Sequence, residues 1–415
     1  MIKFDEFTLD NGLRVIVHRD TTVPTVAFNL LYNVGSRDEQ EDKTGFAHLF
    51  EHLMFGGSVN IPDFDTCLQR VGGDNNAFTS TDVTNYYITL PANNIETAFW
   101  LESDRMLGLN FDQRVLDVEK NVVIEEFKQH YLNQPYGEAW LKLRPLAYKV
   151  HPYKWATIGK DIAHIEKATM DDVKDFFFHH YAPNNAILTI AGNIDTETVK
   201  RMSDKWFGVI PARTVPLRNL PKEPKQTEAR KEDFYSNVPA HAIYKVYHMS
   251  EKTSPSFYPT DLLSDALGRG KSSILYEKLT KENPIFSSIS AYVLGSADTG
   301  LLCINGKVSE GISIATADNA IEEVLQEVIE NGLQEEQLQK AKNQAEATLI
   351  FSEMEILNRA MNLAQAALLG NANDINTEAE KIQAVTLTQI NQIAKEVLLP
   401  TNCSTLYYHS TLQTR

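Results

Sequence analysis

The segment from Pro211 to Asp233 constrains this chain more than any other stretch, because Pro211, Pro216, Pro221 and Pro224 stand there among charged residues with few apolar ones. Such a composition continues neither a helix nor a sheet and reads as a linker. It divides the 415 residues into an N-terminal domain over 1–215, a linker over 216–233 and a C-terminal domain over 234–415. Each half, of about 200 residues, is a size that a single hydrophobic core supports.

A similar order of elements recurs on the two sides of this break. Upstream, residues 7–9 and 13–17 predict a hairpin around Asn11-Gly12, followed by a strand at 26–31, a helix over 44–55 stopped by Gly56-Gly57, and a strand at 85–91. Helices follow at 95–106 and 115–131, and a buried-type strand at 186–191 ends at Gly192-Asn193. Downstream, a strand at 242–247 precedes a helix at 259–267, the turn Gly268-Arg269-Gly270 and a helix from Ser272. Strands at 287–292 and 301–307 then lead to helices at 315–331, 335–369 (interrupted) and 386–398. The recurrence predicts an α+β fold of two duplicated domains, each a mixed, mostly antiparallel sheet packed with helices.

Composition narrows the function. Hydrophobic residues at 43% and charged residues at 23% are values of a folded soluble protein. The formal net charge of -16 argues against nucleic acid as a partner, since phosphate binding needs a concentrated basic surface. Cys67, Cys303 and Cys403 are isolated in sequence, so neither a disulfide framework nor a cysteine zinc site is expected. No apolar run is long enough to span a membrane, and the first residues, Met1-Ile2-Lys3-Phe4-Asp5-Glu6, do not read as a signal peptide. The sequence as it stands is therefore expected in the cytoplasm, or in the periplasm if a leader has been removed.

The chemistry is concentrated in His48-Leu49-Phe50-Glu51-His52. Histidines four apart on a helix bring both imidazoles to one face, which is metal-chelating geometry. Glu51, three residues after His48, shares that face and is placed to act as general base on water. The order His-x-x-Glu-His is the inverse of the commoner zinc peptidase motif. A catalytic zinc takes three protein ligands and keeps one position open. The helix around Asp117 to Phe127 offers carboxylates, with Glu119 and Glu126 two turns apart on one face and Val122 and Val123 between them, so that face is expected to point inward. Spacing alone leaves Glu119, Glu125 and Glu126 all open as the third ligand.

On these residues the sequence resembles the pitrilysin (M16) family of inverted-motif zinc metallopeptidases, in particular the shorter two-domain, processing-peptidase-like members, over essentially its whole length. The resemblance implies one Zn2+ per chain held by His48, His52 and Glu126, with Glu51 as the catalytic base and Glu119 as a supporting carboxylate. A second matching segment, Gly72-Gly73-Asp74-Asn75-Asn76-Ala77-Phe78-Thr79 and onward to Tyr87, is similar to the family's substrate strand. It implies substrate contacts at Asn76, Ala77 and Phe78 through main-chain pairing with a peptide.

The C-terminal half is similar to the family's second, metal-free domain at Gly268 to Leu279 and carries no His-x-x-Glu-His. Members that act alone place there an Arg and, seven residues later, a Tyr that bind substrate and stabilise the oxyanion. This sequence has Thr280 and Ser287 at those positions. The departure implies a heterodimer in which a homologous subunit supplies the Arg and Tyr, with a homodimer as the alternative. The expected activity is zinc-dependent endopeptidase cleavage of peptides or unfolded segments in a chamber formed with that second subunit. A non-catalytic scaffold subunit is the rival reading, because fold alone does not fix function, and hydrolysis of a non-peptide amide is a third.

Overall fold

The computed structural model describes residues 1–412. It has two sheets, each with one parallel pair among antiparallel ones. The first contains β1 (Asp5–Thr8), β2 (Arg14–Arg19), β3 (Thr25–Tyr32), β4 (Asp74–Thr79), β5 (Thr84–Pro91) and β6 (Ala186–Gly192), in the order β1-β2-β6-β3-β5-β4. Here only β2 and β6 run parallel. The second contains β7 (Arg230–Ser236), β8 (Ala242–Met249), β9 (Phe286–Leu294), β10 (Gly300–Val308) and β11 (Cys403–Ser410), in the order β7-β11-β8-β10-β9, with only β7 and β11 parallel.

When β1 is set aside, the two sheets are the same object. In each, the first strand pairs in parallel with the fifth, the fifth pairs with the second, the second with the fourth, and the fourth with the third at the edge. The duplication suggested by the recurring elements is therefore present at the level of topology and strand direction. Between second and third strand the first sheet inserts helix Phe46–Leu53, which carries the histidines, and the second inserts helix Phe257–Gly268, which contains no histidine.

The compact units do not follow the simple division at 216–233. One comprises residues 1–127, 155–220 and 350–377, and the other 128–154, 221–349 and 378–415. The passage at 220/221 falls inside the expected linker, whose last residues form the start of β7. The two crossing segments have a packing reason. The buried strands of the first sheet are apolar on both faces, and one face is covered by helix Ile356–Leu368: Leu363, Ala364 and Ala367 pack with Ile16, Leu31 and Ile187, and Ala360 with Ala27 and Ala191. In the second unit, Ala139, Leu143 and Ala147 of helix Ala139–Ala147 pack with Val246, Leu301, Leu406 and Tyr408. A helical pattern announces a buried face but not the sheet that buries it.

Two of the expected helices depart from α-helical winding over part of their length. The expected helix 115–131 is α-helical over Gln113–Phe127 and continues as wider i→i+5 turns over Lys128–Leu132. The helix expected from Ser272 is a single turn, Ile274–Tyr276, followed by a similar wide turn over Glu277–Glu282. Cys303 and Cys403 are buried and Cys67 is partly exposed.

An ion pair lies beneath the first sheet. Arg105 and Glu102, on helix Ile95–Leu107, are 1% and 0% exposed and joined at 2.5 and 2.7 Å. The guanidinium sits over Tyr86, Phe64 and Phe55, 4.3, 4.6 and 5.2 Å from their ring centroids. Burial pushes the Glu102 carboxyl up and the arginine opposes that. Removing one partner leaves a buried charge without compensation, so Arg105→Leu should destabilise the fold by roughly 3–5 kcal/mol. The pair Glu102→Leu/Arg105→Leu should recover most of that loss in chemical unfolding; a single variant as stable as wild type would contradict the assignment.

Candidate metal centre

The motif helix Phe46–Leu53 starts at Gly45, whose φ of 89° is the left-handed region that favours glycine. Any Cβ there would also stand 2.7 Å from the Ile158 carbonyl oxygen. The buried Glu39 carboxylate accepts the N–H groups of Gly45 and Ala47 at 3.0 and 2.8 Å, satisfying donors that a helix start leaves open. Phe46, Leu49, Phe50 and Leu53 are buried, and Phe50 packs on Phe176 and Tyr181 with ring centroids 5.0 and 5.2 Å apart. An apolar stripe so anchored leaves His48, Glu51 and His52 on the opposite, partly exposed face.

Helix Gln113–Phe127 brings the carboxylates to that face. Glu126 Oε2 lies 3.5 Å from His48 Nε2 and 3.4 Å from His52 Nε2, and Glu119 Oε2 lies 3.4 Å from His52 Nδ1. The two imidazoles are 4.9 Å apart and nearly perpendicular, at 85°. Of the three acids that spacing left open, Glu125 is exposed and outside this group. The inward pointing expected of this face holds only in part: Val123 is 1% exposed but Val122 is 39% exposed. The helix seats itself through Leu116, Val123, Ile124 and Phe127, which tips the carboxylates toward the histidines at the rim.

These donors fit a zinc ion. One donor atom each from His48, His52 and Glu126 lies within 4.8 Å of the others. With zinc–nitrogen and zinc–oxygen bonds of about 2.1 Å, the donors of a tetrahedral site stand about 3.4 Å apart. The two donor separations to Glu126, 3.5 and 3.4 Å, meet that figure. Among the described residues no other group of three such side chains converges in this way. Glu119, on the far nitrogen of His52, is placed to fix that ring's orientation, as carboxylates behind metal-bound histidines do.

The protein groups alone push the two histidines in opposite senses. Burial and the neighbouring His52 push His48 down to about 4, so its ring is neutral with a lone pair to offer. Burial also acts to lower His52, but the bond from Glu119 and the charges of Glu126, Glu119 and Glu51 outweigh it and raise the ring. Burial raises the Glu51 carboxyl, opposed by a hydrogen bond from Thr79.

Strand β4 is the edge of its sheet, paired only with β5, so its outer main-chain groups are available to another strand. Asn76 is exposed, and its side-chain oxygen accepts the Ala77 N–H at 2.8 Å. Phe78 packs with the apolar cluster of Ile16, Leu31 and Val83, which leaves it its main chain to offer a peptide. Thr79 donates a 2.6 Å hydrogen bond to Glu51 Oε2. No role was expected of Thr79 beyond its place in the strand, although period-two alternation puts it on the same face as Ala77. In the second unit, Thr280 lies in the wide turn Glu277–Glu282, and Ser287, on β9, donates to the Lys307 carbonyl at 3.2 Å.

Behind the motif helix, His180 packs on Phe176, with ring centroids 4.7 Å apart, and burial holds its pKa at about 4 instead of 6.5. The unfolded chain therefore binds the extra proton between these values. His180 contributes stability that is complete above about pH 6.5 and is lost as pH falls to about 4. Replacing it with Gln should reduce the wild-type loss across that window by roughly 2 kcal/mol, allowing for partial exposure. Unfolding curves at pH 7 and pH 4.5 that move in parallel for the two proteins would refute this.

The model of the insulinase family, peptidase family M16, matches residues 14–152, and that of the peptidase M16 inactive domain matches residues 167–345. The zinc protease PqqE of Helicobacter pylori is 30% identical over 359 residues, covering 84% of this chain and 80% of its own. A crystal structure of a protease from Helicobacter pylori superposes with a TM-score of 0.93 at 26% identity, covering 99% of this chain and all of that one. The periplasmic protease PqqL of Escherichia coli, at 18% identity and a TM-score of 0.82, shares the fold: 99% of this chain matches 48% of that one. Among the described residues no helix is long and apolar enough to cross a membrane.

Proposed function

Because this chain belongs to the M16 (pitrilysin) family of metallopeptidases, we propose that it is the zinc-bearing subunit of an endopeptidase acting on peptides or unfolded segments. The observation that carries the reading is the meeting of His48, His52 and Glu126 at tetrahedral spacing beside the carboxylate of Glu51. His48, His52 and Glu126 would hold the metal, and Glu119 would orient His52. When bound, zinc supplies Lewis acidity to the site. Glu51 takes the proton of the attacking water and hands it to the leaving amine. The outer edge of β4 pairs with the substrate main chain at Asn76, Ala77 and Phe78, which makes binding depend on an extended peptide more than on its side chains. Thr280 and Ser287 provide neither a cation nor a phenol, so a homologous second subunit supplies the Arg and Tyr that steady the oxyanion.

The test is metal analysis together with cleavage of a quenched fluorescent peptide library by the zinc-loaded chain, alone and mixed with a homologous chain that carries the Arg and Tyr. One zinc per chain and cleavage that requires the mixture are expected. Cleavage by the chain alone would remove the second subunit from the reading. A chain that binds no zinc would make it a scaffold.

A further inference from the structure

Thr79 ends β4, and its hydroxyl donates to Glu51 Oε2 at 2.6 Å while standing 3.5 Å from the Ala47 carbonyl, one turn earlier on the motif helix. A hydroxyl has one proton to give. The separation of 2.6 Å is that of a strong bond to a charged acceptor, so the proton is committed to Glu51. A glutamate on a helix face otherwise has many rotamers, and ordering such a side chain costs about 1.5–2 kcal/mol. Fixing Oε2 from the strand selects one of them and leaves Oε1 as the oxygen that can exchange a proton.

We infer that Thr79 is a positioning residue for the base: it ties the Glu51 carboxylate to the strand edge that receives the substrate. Ala77 and Thr79 are two residues apart on one strand face. Main-chain pairing of a peptide along β4 therefore sets the scissile bond in register with the carboxylate that Thr79 holds. The base and the substrate share one rigid reference, and an error of about 1 Å in their relative placement is worth about 100-fold in rate. This inference rests on the peptidase reading of Glu51.

Thr79→Val keeps the shape and removes the donor, whereas Thr79→Ser keeps the donor. In the preparation of the full zinc-loaded chain that cleaves peptide best, Thr79→Val should lower kcat about 10- to 100-fold with KM within about twofold, and Thr79→Ser should stay within about threefold of wild type. Zinc content should be unchanged in both. A Thr79→Val enzyme with wild-type kcat, a loss confined to KM, or a serine variant as impaired as the valine one would overturn the inference. If the wild type binds zinc yet cleaves no peptide, the peptidase reading fails by itself, and the pair is then judged by melting temperatures of Thr79→Val, Glu51→Ala and the double variant. Coupling of about 3 °C or more supports the tie, and additive shifts refute it.

Discussion

Glu51→Gln should reduce peptide cleavage by at least about 1000-fold while zinc stays at one per chain, because the substitution removes the proton acceptor and nothing else. Three observations isolate the effect. Glutamine has the same length and can still accept the Thr79 hydroxyl bond that Glu51 accepts at 2.6 Å, so the side chain keeps its place. Glu51 stands outside the trio whose donor atoms converge, so the metal donors are untouched. The helix is held by Glu39 at its start and by Phe46, Leu49, Phe50 and Leu53 along its buried face, none of which involves residue 51. Turnover of a fluorogenic peptide and atomic absorption on the same samples decide it. A variant that retains more than a tenth of wild-type activity would show that another group takes the proton, and one that loses zinc would place Glu51 among the ligands.

The motif was legible in the sequence because its geometry is local: residues i, i+3 and i+4 of one helix share a face whatever the helix packs against. The choice among Glu119, Glu125 and Glu126, for which the family resemblance pointed to Glu126, was not legible from spacing, since it depends on how helix Gln113–Phe127 is rotated about its axis. That rotation is fixed by Leu116, Val123, Ile124 and Phe127, a tertiary fact that the spacing of carboxylates does not contain. Val122 shows the same limit, being apolar yet 39% exposed. Most strands were readable from alternation and turns, but β7, whose first residues lie in the stretch read as linker, and β11 were not. The eight residues of β11, Cys403–Ser410, mix polar and aromatic side chains, and Ser404 and Thr405 are buried only because the strand is central. Helix Ile356–Leu368 was visible as a helix, whereas its duty of covering the first sheet was not, because any apolar face would have satisfied its pattern.

Zinc affinity should separate the two carboxylates that face the histidines. Removing Glu126 takes away one of the three donors, and if structural zinc sites with four ligands gain roughly 10–16 kcal/mol in all, one ligand accounts for about 3–4 kcal/mol, or several hundredfold in affinity. Glu119 touches His52 Nδ1 and not the shared centre, so Glu119→Ala should weaken zinc by only about 10- to 100-fold, the range for a partner behind a ligand. The exposed Glu125 serves as the control, and Glu125→Ala should bind zinc as wild type does. Competition against a chromophoric chelator at fixed pH measures all three. The reverse order, with Glu119→Ala losing more than Glu126→Ala, would mean that the carboxylates exchange roles once the metal enters. The fixed pH matters because His52 is raised by these same carboxylates. Removing either one lowers the ring's pKa and so eases deprotonation for the metal, which partly offsets the loss of the carboxylate. The measured losses are for that reason lower bounds on what each carboxylate contributes at the site.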